Sequence, residues 1–173
     1  LEQYVELPEA SRKVLADALA EGHGVLFVSG HVGNFELLAR RVAKAGFPCQ
    51  TIAKEASDPR TTALVQRMRE RGGVKVIWRG QEGAAREMLR ALKRGEVLGL
   101  LIDQDTRVQG VFVPFFGRLA FTPRAAADLA LRTGAAVVMG FAFRRDDGGH
   151  RLELARLPPP ETTGDRDAQS LEY

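Results

Sequence analysis

The chain has 173 residues, 45% hydrophobic and 27% charged, which is typical of a globular domain and excludes a disordered chain or a miniprotein. Its 25 Lys and Arg residues exceed its 22 Asp and Glu residues by +3, too small an excess to indicate a nucleic-acid-binding surface. Because Cys49 is the single cysteine, no intrachain disulfide can form, which favours a reducing compartment. We expect one domain over residues 1–173.

The apolar runs in the sequence are too short to cross a membrane. Residues 97–102 and 135–143 are the longest runs, whereas a membrane-spanning helix requires about 20 residues. The chain lacks an initiating Met, begins at Leu1 and stops soon after a Pro-rich loop. We therefore expect a segment of a longer protein.

Short apolar runs alternate with stretches of helical spacing, a pattern typical of βαβ units. Pro114 makes residues 111–117 an edge or a loop rather than a central strand, and residues 146–149 are a strong hairpin signal. We predict an α/β fold: a mostly parallel central sheet flanked by helices on both faces, with a C-terminal β-hairpin. Predicted helices span residues 9–20, 35–45, 58–71, 83–93 and 122–134, and predicted strands span 25–28, 50–53, 74–78, 97–102, 136–144 and 151–155.

The turn after the first buried strand carries a candidate acid–base pair, His31 and Glu36. This turn lies at the carboxyl end of the strand, where open α/β sheets bind ligands. A spacing of five residues on one helix is a rotation of about 140°, so the two side chains can meet only if His31 lies in the loop. Gly30 and Gly33 allow the loop to fold back, and Asn34 can cap the following helix. A carboxylate on one imidazole nitrogen would leave the other to accept a proton from a hydroxyl.

The turn also has interpretations without an acid–base pair. A lone loop histidine is more often a solvent-facing polar residue. The glycines do not form G-x-G-x-x-G, no Lys-Ser/Thr follows them, and the sequence has no G-x-S-x-G. A nucleotide site and a serine hydrolase are therefore disfavoured.

The Gly-His-x-Gly-Asn-x-Glu run of residues 30–36 resembles the H-x4-D/E motif of the bacterial lipid A biosynthesis acyltransferases, within the glycerolipid-acyltransferase-like superfamily. Later blocks resemble the same family in the same order: Asp103-Gln104-Asp105, residues 111–117 and the predicted helix from Thr122. The resemblance extends from about residue 24 to residue 157, and the ordered blocks are more specific than the first motif alone.

The resemblance implies transfer of an acyl group from an acyl-carrier-protein thioester to a hydroxyl of a phosphorylated glucosamine lipid, a lipid A precursor. It makes His31 the general base and Glu36 its orienting partner, with no covalent enzyme intermediate, cofactor or metal ion. The implied partners are acyl-carrier protein, the glucosamine lipid and a membrane surface, without nucleic acid. The implied location is the cytoplasmic face of the bacterial inner membrane. The N-terminal membrane anchor and the C-terminal part of the family are expected to lie outside this chain.

The resemblance also implies substrate-site roles for Arg69 and Asp103, with Asn34, Gln104 and Asp105 as further substrate-binding candidates. Asp103 follows a predicted strand, so it should emerge at the same sheet edge as His31. Arg69 is expected to contact a lipid phosphate or Asp103. The plain alternatives are a strand-end turn for Asp103 and a solvated helix face for Arg69.

Several alternatives stay open at this point. Asp103-Gln104-Asp105 could hold a cation in a metal-dependent glycosyltransferase, the acceptor could be another membrane glycolipid of the phosphoinositol mannoside type, or the chain could be a non-catalytic lipid-binding module. Phe112, Phe115 and Phe116 could line an acyl slot, but core packing is the favoured expectation for them. Arg118 and Arg124 could face anionic headgroups or an acidic carrier protein.

Overall fold

The computed structural model describes residues 1–104 and 106–159. In this part of the chain there are five helices: α1 (Glu9–Ala20), α2 (Phe35–Lys44), α3 (Pro59–Arg71), α4 (Ala84–Lys93) and α5 (Ala125–Thr133). There are nine strands: β1 (Val5–Glu6), β2 (Val25–Ser29), β3 (Cys49–Ala53), β4 (Val74–Trp78), β5 (Val97–Leu101), β6 (Gly110–Phe115), β7 (Arg118–Pro123), β8 (Ala136–Arg144) and β9 (His150–Leu157).

Seven of these strands form one sheet in the order β1-β9-β8-β2-β5-β3-β4. The pairs from β8 to β4 are all parallel, whereas β9 is antiparallel to β8. Strands β6 and β7 form a separate antiparallel pair. The prediction of a mostly parallel sheet with a C-terminal hairpin is confirmed.

Strand β2 shows why both faces of the sheet are covered. Its alternate side chains serve two core layers: Val25 and Phe27 pack with α1 and α2, and Leu26 and Val28 pack with α4 and α5. A strand that is buried on both faces has a continuous apolar sequence, as is usual in parallel sheets. The prediction of helices on both faces is confirmed.

One predicted helix start is wrong. Thr122 and Pro123 end β7, and α5 begins at Ala125. Proline fixes its own φ and keeps the preceding residue extended, so a Thr-Pro pair suits the end of an edge strand as well as a helix start. Residues 111–117, predicted as an edge or a loop, supply most of β6 and the turn after it.

No helix within residues 1–104 and 106–159 is long and apolar enough to span a membrane. The longest of them, α3, has 13 residues.

Candidate active site

The site begins where the neighbouring strands β2 and β5 end side by side. Their parallel register pairs Ser29 with Leu101, and the Ile102 N–H donates to the Ser29 carbonyl oxygen at 3.2 Å. The residues that follow, His31 and Asp103, therefore emerge at the same edge of the sheet. This placement confirms the prediction of a shared edge.

His31 and Asp103 are joined by two hydrogen bonds. The His31 backbone N–H donates to Asp103 Oδ2 at 2.6 Å, and His31 Nδ1 lies 2.7 Å from Asp103 Oδ1. A Cβ at Gly30 would lie 2.9 Å from Asp103 Oδ2, so glycine leaves room for the carboxylate. The Phe35 ring packs edge-on against the imidazole, with 5.0 Å between ring centroids. The imidazole is thus held from two sides.

The charge state of Asp103 determines which imidazole nitrogen is free. Burial raises the pKa of Asp103, but hydrogen bonds, chiefly from the side chain and backbone of His31, outweigh burial and lower this pKa below its ordinary value. An ionised carboxylate can only accept hydrogen bonds, so in the neutral imidazole Nδ1 carries the proton and Nε2 keeps its lone pair. Since 34% of the His31 side chain is exposed, Nε2 can accept a proton from a bound hydroxyl.

The loop after β2 has the conformation that its glycines and its cap predict. Gly33 has a φ of +64°, and a Cβ there would collide with the carbonyl oxygen of Ala142 on β8. Asn34 Oδ1 accepts from the Leu37 N–H at 3.0 Å, which caps α2 as predicted. His31 consequently lies in the loop, and Glu36 lies in the first turn of α2.

Glu36 binds Arg69 of α3 and not His31. Arg69 Nη2 donates to Glu36 Oε1 at 2.5 Å, and Arg69 Nε lies 3.2 Å from both carboxylate oxygens. The Arg69 side chain is only 16% exposed. This ion pair ties the start of α2 to the last turn of α3.

The predicted pair His31–Glu36 is therefore wrong, and so is Asp103 as a partner of Arg69, one of the two contacts expected for that arginine; the two carboxylates have exchanged partners. Asp103 comes from the strand adjacent to β2 and lies directly under the loop, whereas the first turn of α2 directs Glu36 to α3. Sequence reasoning found all four residues but missed the pairing. Asp103 is separated from His31 by 72 positions, and only the strand order shows that they are neighbours.

The other residues of the predicted Asp-Gln-Asp turn contribute less to the described site. Gln104 is exposed beside Asp103, and Asp105 lies outside the described residues. Residues 1–104 and 106–159 contain no group of three or more His, Cys, Asp or Glu side chains suited to a metal ion. Both Asp103 oxygens bond to His31.

The expectation of core packing for Phe112, Phe115 and Phe116 is wrong. Their exposed fractions are 64%, 62% and 93%, because β6 and β7 stand apart from the main sheet. Phe112 and Phe121 line an open groove of about 740 Å³ together with residues 106–109. Of the three phenylalanines, Phe112 alone lines this groove.

Comparison with known proteins gives one family match. Residues 10–172 match the model of the family described as bacterial lipid A biosynthesis acyltransferase. The matched range includes His31, Glu36, Arg69 and Asp103. No curated protein matches the chain with significant similarity.

Proposed function

The chain belongs to the bacterial lipid A biosynthesis acyltransferase family, and from that premise we propose that it transfers a fatty acyl group from an acyl-carrier-protein thioester to a hydroxyl of a lipid A precursor. The observation that carries this proposal is the pair of His31 Nδ1 and Asp103 Oδ1, 2.7 Å apart at the carboxyl edge of the sheet. This pair leaves Nε2 as a base in the position where α/β sheets bind substrates.

In the proposed reaction, Nε2 of His31 takes the proton of the acceptor hydroxyl as the hydroxyl oxygen attacks the thioester carbonyl carbon. The carbon–sulfur bond then breaks, the thiolate leaves, and the imidazolium returns the proton to the sulfur. Asp103 holds the tautomer and stabilises the imidazolium that forms in between. A thioester is already activated, so this route needs no cofactor and no metal ion.

Glu36 has a positioning role in this proposal. It occupies Arg69 Nε and Nη2 and leaves Nη1 of Arg69 to contact a phosphate of the glucosamine lipid. Asn34 holds the start of α2 through its cap, and Gln104 and Asp105 are the proposed contacts to the sugar of the acceptor. Glu36 lies in the first turn of α2 and Asn34 at its N-cap, so both can affect the site through the placement of this helix without contacting the thioester.

Helix α3 offers a basic surface that is complementary in charge to the proposed donor partner, an acidic acyl-carrier protein. Arg60, Arg67 and Arg71 are exposed, and their spacing of seven and four places them on one helix face. No carboxylate among the described residues forms an ion pair with them.

The proposed acceptor is a membrane lipid. We therefore propose that the reaction takes place at the cytoplasmic face of the bacterial inner membrane, with the anchor in segments outside this chain.

The test is transfer of a labelled acyl group from acyl-carrier protein to a lipid A precursor in detergent micelles. We expect His31→Ala to lower kcat by roughly 10²- to 10⁴-fold, the usual contribution of a general base. The matched control is His23→Ala, because His23 is exposed in the turn before β2, at the opposite edge of the sheet. This control should retain full activity.

Four results would contradict parts of the proposal. Undiminished transfer by His31→Ala would exclude His31 as the base. Complete loss of activity with a chelator would favour the metal-dependent glycosyltransferase, and binding without turnover would favour a lipid-binding module. Transfer to a phosphoinositol mannoside in place of the lipid A precursor would keep the chemistry and change the acceptor.

A further inference from the structure

The β6–β7 hairpin exposes an apolar surface that the described chain does not cover. In the described residues its two strands pair only with each other, through a turn at Phe116 and Gly117. The exposed fractions at its tip are 62% for Phe115, 93% for Phe116 and 69% for Leu119. A two-stranded hairpin is marginally stable alone in water, so an apolar one is expected to have a binding surface that covers it.

The register of the hairpin makes one of its two faces wholly apolar. Phe112 lies opposite Phe121, and Pro114 lies opposite Leu119. Side chains alternate along strands, so these two cross-strand pairs share a face, and the Phe112 and Phe121 rings are 5.4 Å apart. That face has no charged side chain and extends from the groove to the turn.

The tip residue Phe116 has a backbone conformation that folding alone would not select. Its φ is +47° and that of Gly117 is +75°, the combination found in type I′ turns, where Asn and Gly are preferred. The Phe116 ring is almost fully exposed, so its contacts within the chain offset little of this strain. An exposed aromatic ring held in a strained turn indicates a role outside the fold.

The charges of the hairpin and of the segment that leads into it indicate what kind of surface the hairpin contacts. Residues 106–123 contain Arg107 and Arg118 and no Asp or Glu. Both arginines are exposed and neither has an ion pair with a described residue. Two copies of such a hairpin would repel each other, whereas a lipid surface offers acyl chains for the rings and anionic headgroups for the guanidinium groups.

We infer that the β6–β7 hairpin inserts its tip into an anionic lipid surface. Phe115, Phe116 and Leu119 enter the acyl region, and Arg107 and Arg118 bind headgroup phosphates. Strand β6 begins seven residues after Asp103, so the connection keeps its first residue within about 25 Å of the His31–Asp103 pair. Insertion would hold this edge of the sheet close to a lipid acceptor, and this last step alone rests on the proposed function.

The test is sedimentation of the chain with vesicles of phosphatidylethanolamine and phosphatidylglycerol that contain no acceptor lipid. We expect binding that weakens in 1 M salt, weakens on phosphatidylcholine vesicles, and weakens in Arg118→Gln. Phe116→Gly should lower the partition coefficient about ten-fold, as expected for loss of one buried phenylalanine ring. Because glycine adopts positive φ readily, the same variant should keep or raise the Tm, which separates lost binding from lost folding.

The matched control is Leu64→Ala on α3, since Leu64 is a 53% exposed apolar residue outside the hairpin and alanine favours helix. Equal losses in Leu64→Ala and Phe116→Gly would overturn the assignment to the hairpin, as would unchanged binding by Phe116→Gly. Absence of vesicle binding by the unmodified chain, or a dimer that Phe116→Gly dissociates, would overturn insertion itself. Transfer in micelles involves no bilayer, so failure of insertion and failure of the proposed function are distinguishable.

Discussion

Strand β5 has a carboxylate at each end, and the two carboxylates have different environments. Glu96 precedes the strand at the amino edge of the sheet and is 8% exposed, whereas Asp103 follows it at the carboxyl edge with a side chain that is 36% exposed. Arg94, a permanent cation, neutralises Glu96. Asp103 instead bonds to the imidazole of His31, which is not a permanent cation and uses only Nδ1 for this contact.

The Glu96 end is a closed network. Arg94 Nε donates to Glu96 Oε1 at 2.7 Å, and Gln50 Nε2 donates to Glu96 Oε2. The hydrogen bond from Arg94 holds the pKa of Glu96 below its ordinary value although burial raises it. Burial and the charge of Glu96 raise the pKa of the neighbouring Cys49 thiol to about 12, which keeps that thiol unreactive.

The difference between the ends gives Glu96 a structural role, and under the proposed function it makes Asp103 the carboxylate that acts in transfer. At Glu96 both carboxylate oxygens bond to fixed donors and little solvent can enter. At Asp103 the partner is an imidazole whose side chain is 34% exposed and which bonds to the carboxylate through Nδ1. We expect changes at Glu96 to affect the free energy of unfolding and changes at Asp103 to affect transfer.

The largest effect is expected for Asp103→Asn. A neutral amide cannot stabilise the imidazolium and no longer selects the Nδ1–H tautomer, so kcat should fall by about 10²- to 10⁴-fold. Steady-state transfer in micelles measures this loss, and the Tm should change little because Asp103 is partly exposed. A kcat close to that of the unmodified chain would contradict the proposed role of Asp103.

Glu96→Gln should lower stability and leave transfer unchanged, the reverse of Asp103→Asn. Loss of the charge-assisted bonds with Arg94 should lower the free energy of unfolding by about 1–3 kcal/mol. Urea denaturation measures this change, and transfer per folded molecule should be unaltered. A large fall in kcat with an unchanged free energy of unfolding would contradict the structural role assigned to Glu96 in contrast to Asp103.

Arg69→Lys tests the pair that anchors α2 to α3. Lysine cannot reproduce the fork that holds Glu36 and also contact a phosphate, so we expect KM for the lipid to rise about ten-fold, or ~1.4 kcal/mol, with a smaller change in kcat. Steady-state kinetics with varied lipid concentration separates the two constants. Arg67→Lys, on the exposed face of the same helix, is the control for the lipid KM.

The smallest effect is the dependence of stability on pH. The pKa values of Glu96 and Asp103 are both lowered in the folded state, so each carboxylate stabilises the fold above its ordinary pKa of about 4, and that stability is lost as the pH falls through the lowered value. Unfolding in urea at pH 6.5 and 3.5 should show lower stability at acid pH. The decrease should be smaller in Glu96→Gln, and an equal decrease would contradict the contribution of Glu96.

The sequence was sufficient for the sheet and for the location of the site. The spacing of apolar residues, the Gly-rich turns and the helix caps predicted the βαβ order. Gly30, Gly33 and Asn34 predicted a loop that presents His31. These signals are local, because each depends on residues within a few positions of one another. Local signals suffice where the backbone itself defines the structure.

The pairing of the site and the exposure of the hairpin could not be predicted in this way. Which carboxylate reaches His31 depends on β5 lying beside β2, a contact between distant parts of the chain. The run of phenylalanines from 112 to 116 has the composition of a core strand, and only the separate pairing of β6 with β7 shows that it is exposed. The composition of a segment shows that it is apolar but does not show which residues, if any, bury it.

The most direct test of the central claim is ¹⁵N NMR of the His31 imidazole, which shows which nitrogen carries the proton. The chain has three histidines, so comparison with His31→Ala assigns the signal. We expect the neutral ring to carry its proton on Nδ1 in the unmodified chain and in Glu36→Gln, and to lose this preference in Asp103→Asn. A proton on Nε2 in the unmodified chain, or a preference that depends on Glu36 and not on Asp103, would contradict the account.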